Sequence, residues 1–524
     1  MPERTKTPRP SATARIAIAL RALWLFLQVR TRLRSTDLPL VVASLGRVDR
    51  LRRPRARPRR LGRIVARTLA IGPFRARCLH TSLVLYRMLR EQGDRAELVI
   101  GLEPNPRDKD AHAWIEVDGR DVGPPPGGGG YTALARFGAE AADVVEVLVS
   151  CLRDPSSARR SIDAVVADGR ATHLLDSARR QGVEPLVAPM LLQTPALDQD
   201  TRAEVQGRSA TRGAHQLRVL QDLAWIGDRM RGAGIPWLAF KGPVIAALLY
   251  DPPTSRRYND LDIWVPRAAF PDAIHALEAD GAPVLDANWP LIYREGRGQL
   301  HLRLPMGTVA DIHWHLLNRR VVRDSFAVPM DELLGRARTV DVEGLRVATL
   351  DPADTLVHLA LHAALNGADR LSLLEDVRRS IAVEGPSWDE IVVRAHAWRA
   401  GPSVAVTVRR ARDLLGADVP DDALRRLDGS AVRRSFGAYL DRRWPALEPH
   451  HRWGLAALWP QVVRQDARST AMTAAARAVR PISGRVRQLA GEPGSEPDSR
   501  AIFVASGAEE ERRRFMAAVA EGSL

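Results

Sequence analysis

The sequence predicts an α+β chain in which strands are clustered between long helical stretches rather than alternating with them one by one. Three observations support this. Apolar runs at 96–117 and again at 236–314 have the length and content of strands, while the residues flanking both clusters repeat their apolar positions at helical spacing. At 524 residues the chain is long enough for two to four domains of roughly 100–200 residues each. Its charge is also divided unevenly: residues 1–150 hold 27 Lys+Arg against 15 Asp+Glu, so most of the formal net charge of +15 lies there.

Taken in order, residues 14–35 and 61–70 carry apolar side chains at helical period. Between them runs Arg52-Arg53-Pro54-Arg55-Ala56-Arg57-Pro58-Arg59-Arg60, broken by prolines and without aromatic residues. It reads as an exposed, solvated connection, and nucleic acid is not expected as a partner. Cys78 opens a helix over Leu79 to Gln92, closed by Gly93, which suits the position after a helix end. Ala96 to Leu102 and Ala111 to Val117 read as strands, Pro124 to Gly130 as a loop, and Tyr131 to Leu148 as the last element of a first domain, 1–148. Residues 155–235 read as mostly helical, broken by Pro185, Pro189 and Pro195. Pro236 to Phe240, Leu261 to Val265, Gln299 to Leu304 and Thr308 to Trp314 read as strands. Helices dominate from Asp351 to about Arg480, completing a second domain over 155–485. Residues 486–524 read as a linker, rich in Gly, Pro and Ser at 491–500, and a tail ending in a charged helix. Gly507 lacks the Gly-Lys-Ser/Thr sequence of a phosphate loop.

Composition excludes several classes. With 45% hydrophobic and 27% charged residues the chain is ordinary for a globular protein. Its two cysteines, Cys78 and Cys151, make neither a disulfide framework nor a four-thiolate zinc site. The best apolar stretch, Leu23 to Val29, is too short to span a membrane, and the start does not read as a signal peptide. A cytoplasmic location without a membrane partner is expected. Only three of the 77 basic residues are lysines, Lys6, Lys109 and Lys241, so a lysine in apolar surroundings calls for a specific explanation.

The first chemical constellation joins Cys78 and His112. A helix N-terminus carries unsatisfied N–H groups and partial positive charge, which favours a thiolate and can receive an oxyanion. His112, on the strand Ala111-His112-Ala113-Trp114-Ile115-Glu116-Val117, can serve as base and then acid for such a thiol. A helical cysteine is more often a small buried hydrophobe. The segments Arg77-Cys78-Leu79-His80-Thr81-Ser82-Leu83, Ala96-Glu97-Leu98-Val99-Ile100-Gly101 and Ala111 to Gly119 resemble the transglutaminase-like leader peptidase of lasso-peptide biosynthesis over residues 15–145. The resemblance implies that Cys78 is the nucleophile and His112 the base, with no cofactor. It also implies three partners: a precursor peptide, a separate leader-recognition protein and an asparagine-synthetase-like cyclase. The family places an aspartate about a dozen residues after its histidine, where this chain has proline. If Asp118-Gly119 is a two-residue turn, Val117 pairs with Arg120 and His112 lies opposite Pro125. Asp121 then shares the face of His112 but stands roughly 13 Å along the strand. Either Asp121 substitutes, another group orients the ring, or the peptidase is weakened.

The second constellation is acidic. Asn259-Asp260-Leu261-Asp262-Ile263-Trp264-Val265 puts two aspartates on one face of a strand, where they can share a divalent ion. Asp311 in Val309-Ala310-Asp311-Ile312-His313-Trp314 adds a third carboxylate on another strand. Lys241 and Gly242 join a strand to the apolar helix Val244 to Tyr250, a junction where a lysine can touch phosphate as a point charge. Arg256 and Arg257 precede the acidic strand and can hold a triphosphate. A solvated acidic strand end with a snorkelling lysine is the alternative. From about Val183 to Asp376, including Leu374-Glu375-Asp376, these residues resemble nucleotidyltransferases of the polymerase-β superfamily. The resemblance implies Mg²⁺ and a nucleoside triphosphate, with Asp260 and Asp262 holding two metals and Asp311 holding one and activating the acceptor. Pro243 departs from the Gly-Ser or Gly-Gly phosphate turn of many members and removes an N–H donor. His358 and His362 lack the Glu of a zinc-protease motif and read as core histidines.

Together the resemblances imply a transglutaminase/papain-like cysteine-hydrolase domain followed by a nucleotidyltransferase fold with large helical additions. They point to a bifunctional maturation protein for a ribosomal peptide, or to a pathway scaffold with one catalytic half silent.

Overall fold

The chain divides into two units, Met1–Leu148 with Leu447–Gly454, and Val149–Ala446 with Leu455–Leu524. A computed structural model describes residues 11–33, 38–46, 48, 56–70, 77–102, 111–124, 129–138, 140–443, 447, 455–465, 468–471, 473, 501–506 and 509–524. The expected linker at 491–500 and the first part of the arginine run, Arg52–Arg55, lie outside the described residues.

In the first unit, strands β1 (Ala96–Leu102), β2 (Ala111–Val117), β3 (Arg120–Gly123) and β4 (Thr132–Phe137) form a sheet in the order β3-β2-β1-β4. All neighbours are antiparallel. Asp118 and Gly119 both take positive φ, 50° and 70°, the geometry of a tight hairpin turn, and Val117 pairs with Arg120 as the spacing predicts. The sequence suggests a single element after Tyr131; the structure has β4 and then the helix Glu140–Arg153, with Gly138 between them. Helices Ala12–Arg32, Leu38–Gly46, Pro58–Ala70 and Cys78–Glu91 complete the unit. Pro58 fits the first helical turn because its missing N–H would be unbonded there, so the end of the arginine run is helical, not a connection. Ile18, Phe26, Val65, Leu83, Tyr86, Leu98 and Ile115 are fully or almost fully buried in one shared core.

Among the described residues one helix, Ala12–Arg32, is long and apolar enough to cross a membrane by length and composition. The short Leu23–Val29 stretch suggested by the sequence understates it, because the isolated Arg15 and Arg21 do not interrupt the helix. One face, with Ile18, Ala22, Leu25, Phe26 and Val29, is buried in the unit; Ile16, Leu20, Trp24 and Leu27 are exposed.

In the second unit, helices Pro155–Ala167, Ala171–Arg180, Glu184–Leu192 and Gln199–Gly232 lead into the sheet. Of the prolines expected to break this region, Pro185 begins a helix and Pro189 lies inside it. Strands β5 (Leu238–Ala239), β6 (Asp260–Trp264), β7 (Gln299–Arg303) and β8 (Val309–His313) pair in the order β5-β6-β8-β7. Strands β6 and β8 are parallel, with Asp262 opposite Asp311. Parallel pairing requires a long crossover, and helices Phe270–Ala279 and Trp289–Glu295, which are not among the elements expected from the sequence, lie within it. A further hairpin, β9 (Arg338–Val342) and β10 (Leu345–Thr349), is also unannounced by the sequence. Helices from Pro352–Leu365 to Ala431–Arg443 follow.

Period-two alternation divides the sheet chemically. Leu261 and Ile263 of β6, Leu300 and Leu302 of β7, and Ala310 and Ile312 of β8 all point into one core and are fully buried. The intervening residues, Asp260 and Asp262, Gln299 and His301, Asp311 and His313, therefore share the opposite face. The same core receives Phe515 and Val519 from the helix Glu509–Glu521, in the stretch that reads as a tail.

Candidate functional site

In the first unit Cys78 is the first residue of the helix Cys78–Glu91, after the extended Arg77. The helix buries Leu83, Leu85 and Leu89 in the core that also holds Ala113, Ile115 and Val117 of β2. Ser82 Oγ donates to Ala113 O at 2.8 Å, fixing its register on that strand. The Cys78 thiol thereby comes to 3.9 Å from Ala111 O, one residue from His112. The imidazole of His112 is buried, lies 4.9 Å from the ring of Tyr131, and stacks on Trp114 at 6.2 Å. Its Nε2 has no hydrogen-bond partner among the described residues. Burial lowers the pKa of His112 and the charge of Asp121 opposes this, so the ring is mainly neutral near pH 7, as a base must be.

Asp121 pairs with Glu116, four residues along β2 from His112, and its carboxylate accepts from Gly123 N at 2.7 Å. A bulge between Ile115 and Glu116 sets Gly123 opposite Ile115. The expected opposite number of His112, Pro125, lies outside the described residues. Gly101 faces His112 across β1, and a Cβ there would meet Thr132 O at 2.5 Å and the Trp114 ring at 2.9 Å. Cys151 is buried, and burial pushes its thiol up to about 11, which leaves it unreactive.

The second unit encloses a cleft of about 1500 Å³ whose lining includes Lys241, Asp260, Asp262, Asp311 and His313. Asp262, Asp311 and His313 each offer a ligand atom, and these atoms lie within 4.8 Å of one another. Two carboxylates and an imidazole are a donor set that fits a divalent cation. Asp260 shares their face, two residues from Asp262, but is not in that grouping. Burial alone would raise Asp262. Lys241 Nζ at 3.3 Å and His313 Nε2 at 3.2 Å outweigh it and hold the carboxyl well below its usual range. Asp311 goes the other way: burial, with Asp262 and Asp260 nearby, pushes it up to about 6 against the opposing charges of His301 and His313. Burial and Asp262 likewise raise Asp260.

Asp311 is held from β7. Gln299 Nε2 donates to its Oδ2 at 2.5 Å, and His301 Nε2 lies 3.6 Å from its Oδ1. Behind His301 the buried Asp286 accepts from the His301 backbone N–H at 2.6 Å and meets the ring Nδ1 at 3.0 Å. Burial opposes protonation of His301, but the Asp286 hydrogen bond and the two carboxylates raise its pKa.

Gly242 takes φ 56°, and a Cβ there would come within 2.9 Å of Asp260 O, so only glycine fits this turn. Arg256 holds the turn: its guanidinium donates to both oxygens of Asp376, at 2.9 and 2.8 Å, and to Gly242 O at 3.0 Å. Tyr250 OH also donates to Asp376, at 2.7 Å. Arg256 therefore positions the turn through Asp376, whereas Arg257 is exposed in the cleft. His358 is buried, as expected, and His362 half-buried, and both line the cleft. Burial and then Lys241 keep both neutral, His362 down to about 3, and neither ring nitrogen of His358 has a hydrogen-bond partner among the described residues.

The structure thus brings together Lys241, Asp262 and Asp311 as the sequence predicts, and adds His313, Gln299, His301 and Asp286. His313 and His301 carry a readable signal, since each sits two residues from a polar strand neighbour on the same face. Asp286 comes from a loop and has none.

Two families match the chain. A model described as "Uncharacterised nucleotidyltransferase" matches residues 168–416, and one described as "Transglutaminase-like superfamily" matches residues 23–136. The chain joins a transglutaminase-like domain to a nucleotidyltransferase domain. No curated protein and no solved structure matches it. The transglutaminase-like match contains Cys78 and His112; the nucleotidyltransferase match contains all three expected metal-site aspartates.

Proposed function

We propose that the protein matures a ribosomal peptide of the lasso class with two activities. The transglutaminase-like domain removes the precursor leader, and the nucleotidyltransferase domain transfers a nucleotidyl group to an acceptor. The carrying observation for the first is Cys78 at a helix start beside the strand that bears a buried, unbonded His112 nitrogen. The thiol gives its proton to His112 and attacks the scissile carbonyl, and the leaving amine takes that proton. Water then hydrolyses the thioester. For the second it is the register of Asp262 with Asp311 on parallel strands. A divalent ion held by Asp262, Asp311 and His313, with Mg²⁺ the ion implied by the resemblance, supplies positive charge to the phosphates when bound. Lys241 and Arg257 attract the triphosphate, Arg256 and Asp376 hold the turn at Gly242, and Asp311 takes the proton of the acceptor. The precursor, a separate leader-recognition protein and an asparagine-synthetase-like cyclase are the proposed partners.

Cleavage of a lasso precursor, followed by mass spectrometry with the recognition protein present, tests the reading. Cys78→Ala should abolish processing, and His112→Ala should lower it by orders of magnitude. Cys151→Ser should process normally. Undiminished cleavage by Cys78→Ala would refute the peptidase. A second reading, a scaffold whose peptidase half is silent, is favoured by the position of Asp121 beside Glu116, four residues from His112; it expects precursor binding without cleavage.

A further inference from the structure

Asp311 and His313 stand two residues apart on β8 and so face the same way, toward Asp262, the register partner of Asp311 on β6. The two nitrogens of His313 are chemically unlike. Nδ1 lies 3.4 Å from His315 O, which only accepts, and Nε2 lies 3.2 Å from Asp262 Oδ1. A hydrogen on Nε2 joins only His313 to Asp262. A metal ion would join Asp262, Asp311 and His313 at once, and their ligand atoms already lie within 4.8 Å of one another. Neighbouring ligands on an octahedral ion, each at roughly 2.1 Å, stand about 3.0 Å apart, close to the 3.2 Å separation here.

The ring is also fixed in place. His313 is 3% exposed, and Phe240 meets it edge-on at 5.1 Å. An outer hydrogen bond from the far ring nitrogen to a carbonyl is how metal-bound imidazoles are commonly oriented. A buried nitrogen ligand matters for metal choice. Mg²⁺ takes oxygen ligands and keeps its waters, so an immovable imidazole removes one of its preferred positions. First-row transition ions accept imidazole readily.

We propose that His313 Nε2 is a metal ligand beside Asp262 and Asp311, and that the site therefore takes a transition ion of the Mn²⁺ type in preference to Mg²⁺. The proposal rests on the metal-dependent transfer reading above and narrows its cofactor. The test uses the full-length protein and Mn²⁺ alone, read by electron spin-echo spectroscopy for ¹⁴N coupling and by Mg²⁺ competition. Wild type should show a directly bonded nitrogen, and more than a tenfold excess of Mg²⁺ should be needed to displace half the Mn²⁺. His313→Gln should lose the coupling and narrow the Mn²⁺ preference at least fivefold. His313→Asp, with an all-oxygen set, should retain metal and shift toward Mg²⁺. Mn²⁺ bound without nitrogen coupling, yet released by Asp262→Asn, overturns the His313 assignment and leaves the transfer reading intact. Failure of wild type to bind either ion, with or without nucleoside triphosphate, overturns both. The wild-type spectrum alone decides ligation, so a variant that fails to fold does not obscure the result.

Discussion

Asp262 and Asp311 face each other in register, yet their surroundings push them in opposite directions. Lys241 and His313 favour the charged form of Asp262; burial and neighbouring carboxylates disfavour that of Asp311, up to about 6. The second shift is a stability statement. The native state keeps the proton on Asp311 up to about pH 6, whereas the unfolded chain releases it near 3.9. Its stabilising contribution is complete below the unfolded value and is lost as pH rises toward 6. Without metal, Asp311→Asn should therefore stabilise the second unit at pH 8 by about 2–3 kcal/mol, and change little near pH 4. Urea unfolding of the metal-free protein at both pH values checks this; equal effects at the two would refute it. The residues of this site were unequally legible. Asp260, Asp262, Asp311 and Lys241 stand out because charges in apolar strand sequence are conspicuous. His313 shares the face of Asp311 by its two-residue spacing, but its approach to Asp262 is set only when β6 is placed beside β8. Asp286 is invisible to sequence reasoning because only the fold carries its loop behind His301.

At the scale of elements, local chemistry reads well where a single rule governs it. The hairpin β2–β3 follows from Asp118-Gly119, and the sidedness of β6 and β8 from alternation. The bulge at Ile115 is not legible, because a one-residue shift leaves no compositional mark, and it sets Gly123 opposite Ile115. The turn at Gly242 is the tightest joint of the acidic site. Gly242→Ala would impose a side chain at φ 56° and press Cβ against Asp260 O. It should destabilise the second unit by about 1–3 kcal/mol and weaken triphosphate binding, because β6 must shift. Calorimetry of unfolding and nucleotide titration of this variant check the point; wild-type values in both would show that the turn is not strained as described. Strands β9 and β10 and the helix Trp289–Glu295 escape sequence reasoning for a different reason: elements of five to seven residues carry too few periodic positions to declare themselves. The helix Phe270–Ala279 does carry the pattern, burying Phe270, Ala273, Ile274 and Leu277 at helical spacing.

At the scale of the molecule, each unit has its own core and its own candidate site, and each site lies within a separate family match. The two chemistries should accordingly be separable by mutation. Cys78→Ala should leave metal-dependent nucleotide binding within twofold of wild type, and Asp260→Asn with Asp262→Asn should leave leader cleavage equally unaffected. Loss of both functions in either variant would contradict two independent sites. The division into an α+β pair was legible from where apolar runs cluster, but the role of residues beyond 500 was not, since their apolar positions are few. Phe515 and Val519 nonetheless back the sheet that carries Asp262 and Asp311. A ribosome makes the chain from its N-terminus at about 5–20 residues per second. Phe515 is translated about 200 residues after Asp311, so roughly 10–40 seconds pass between them at that rate. Throughout this interval the acidic strands lack part of their backing. The described core of the first unit ends before residue 140, so it is already synthesised while the second core still waits for Phe515 and Val519, although the first unit itself is completed only by Leu447–Gly454.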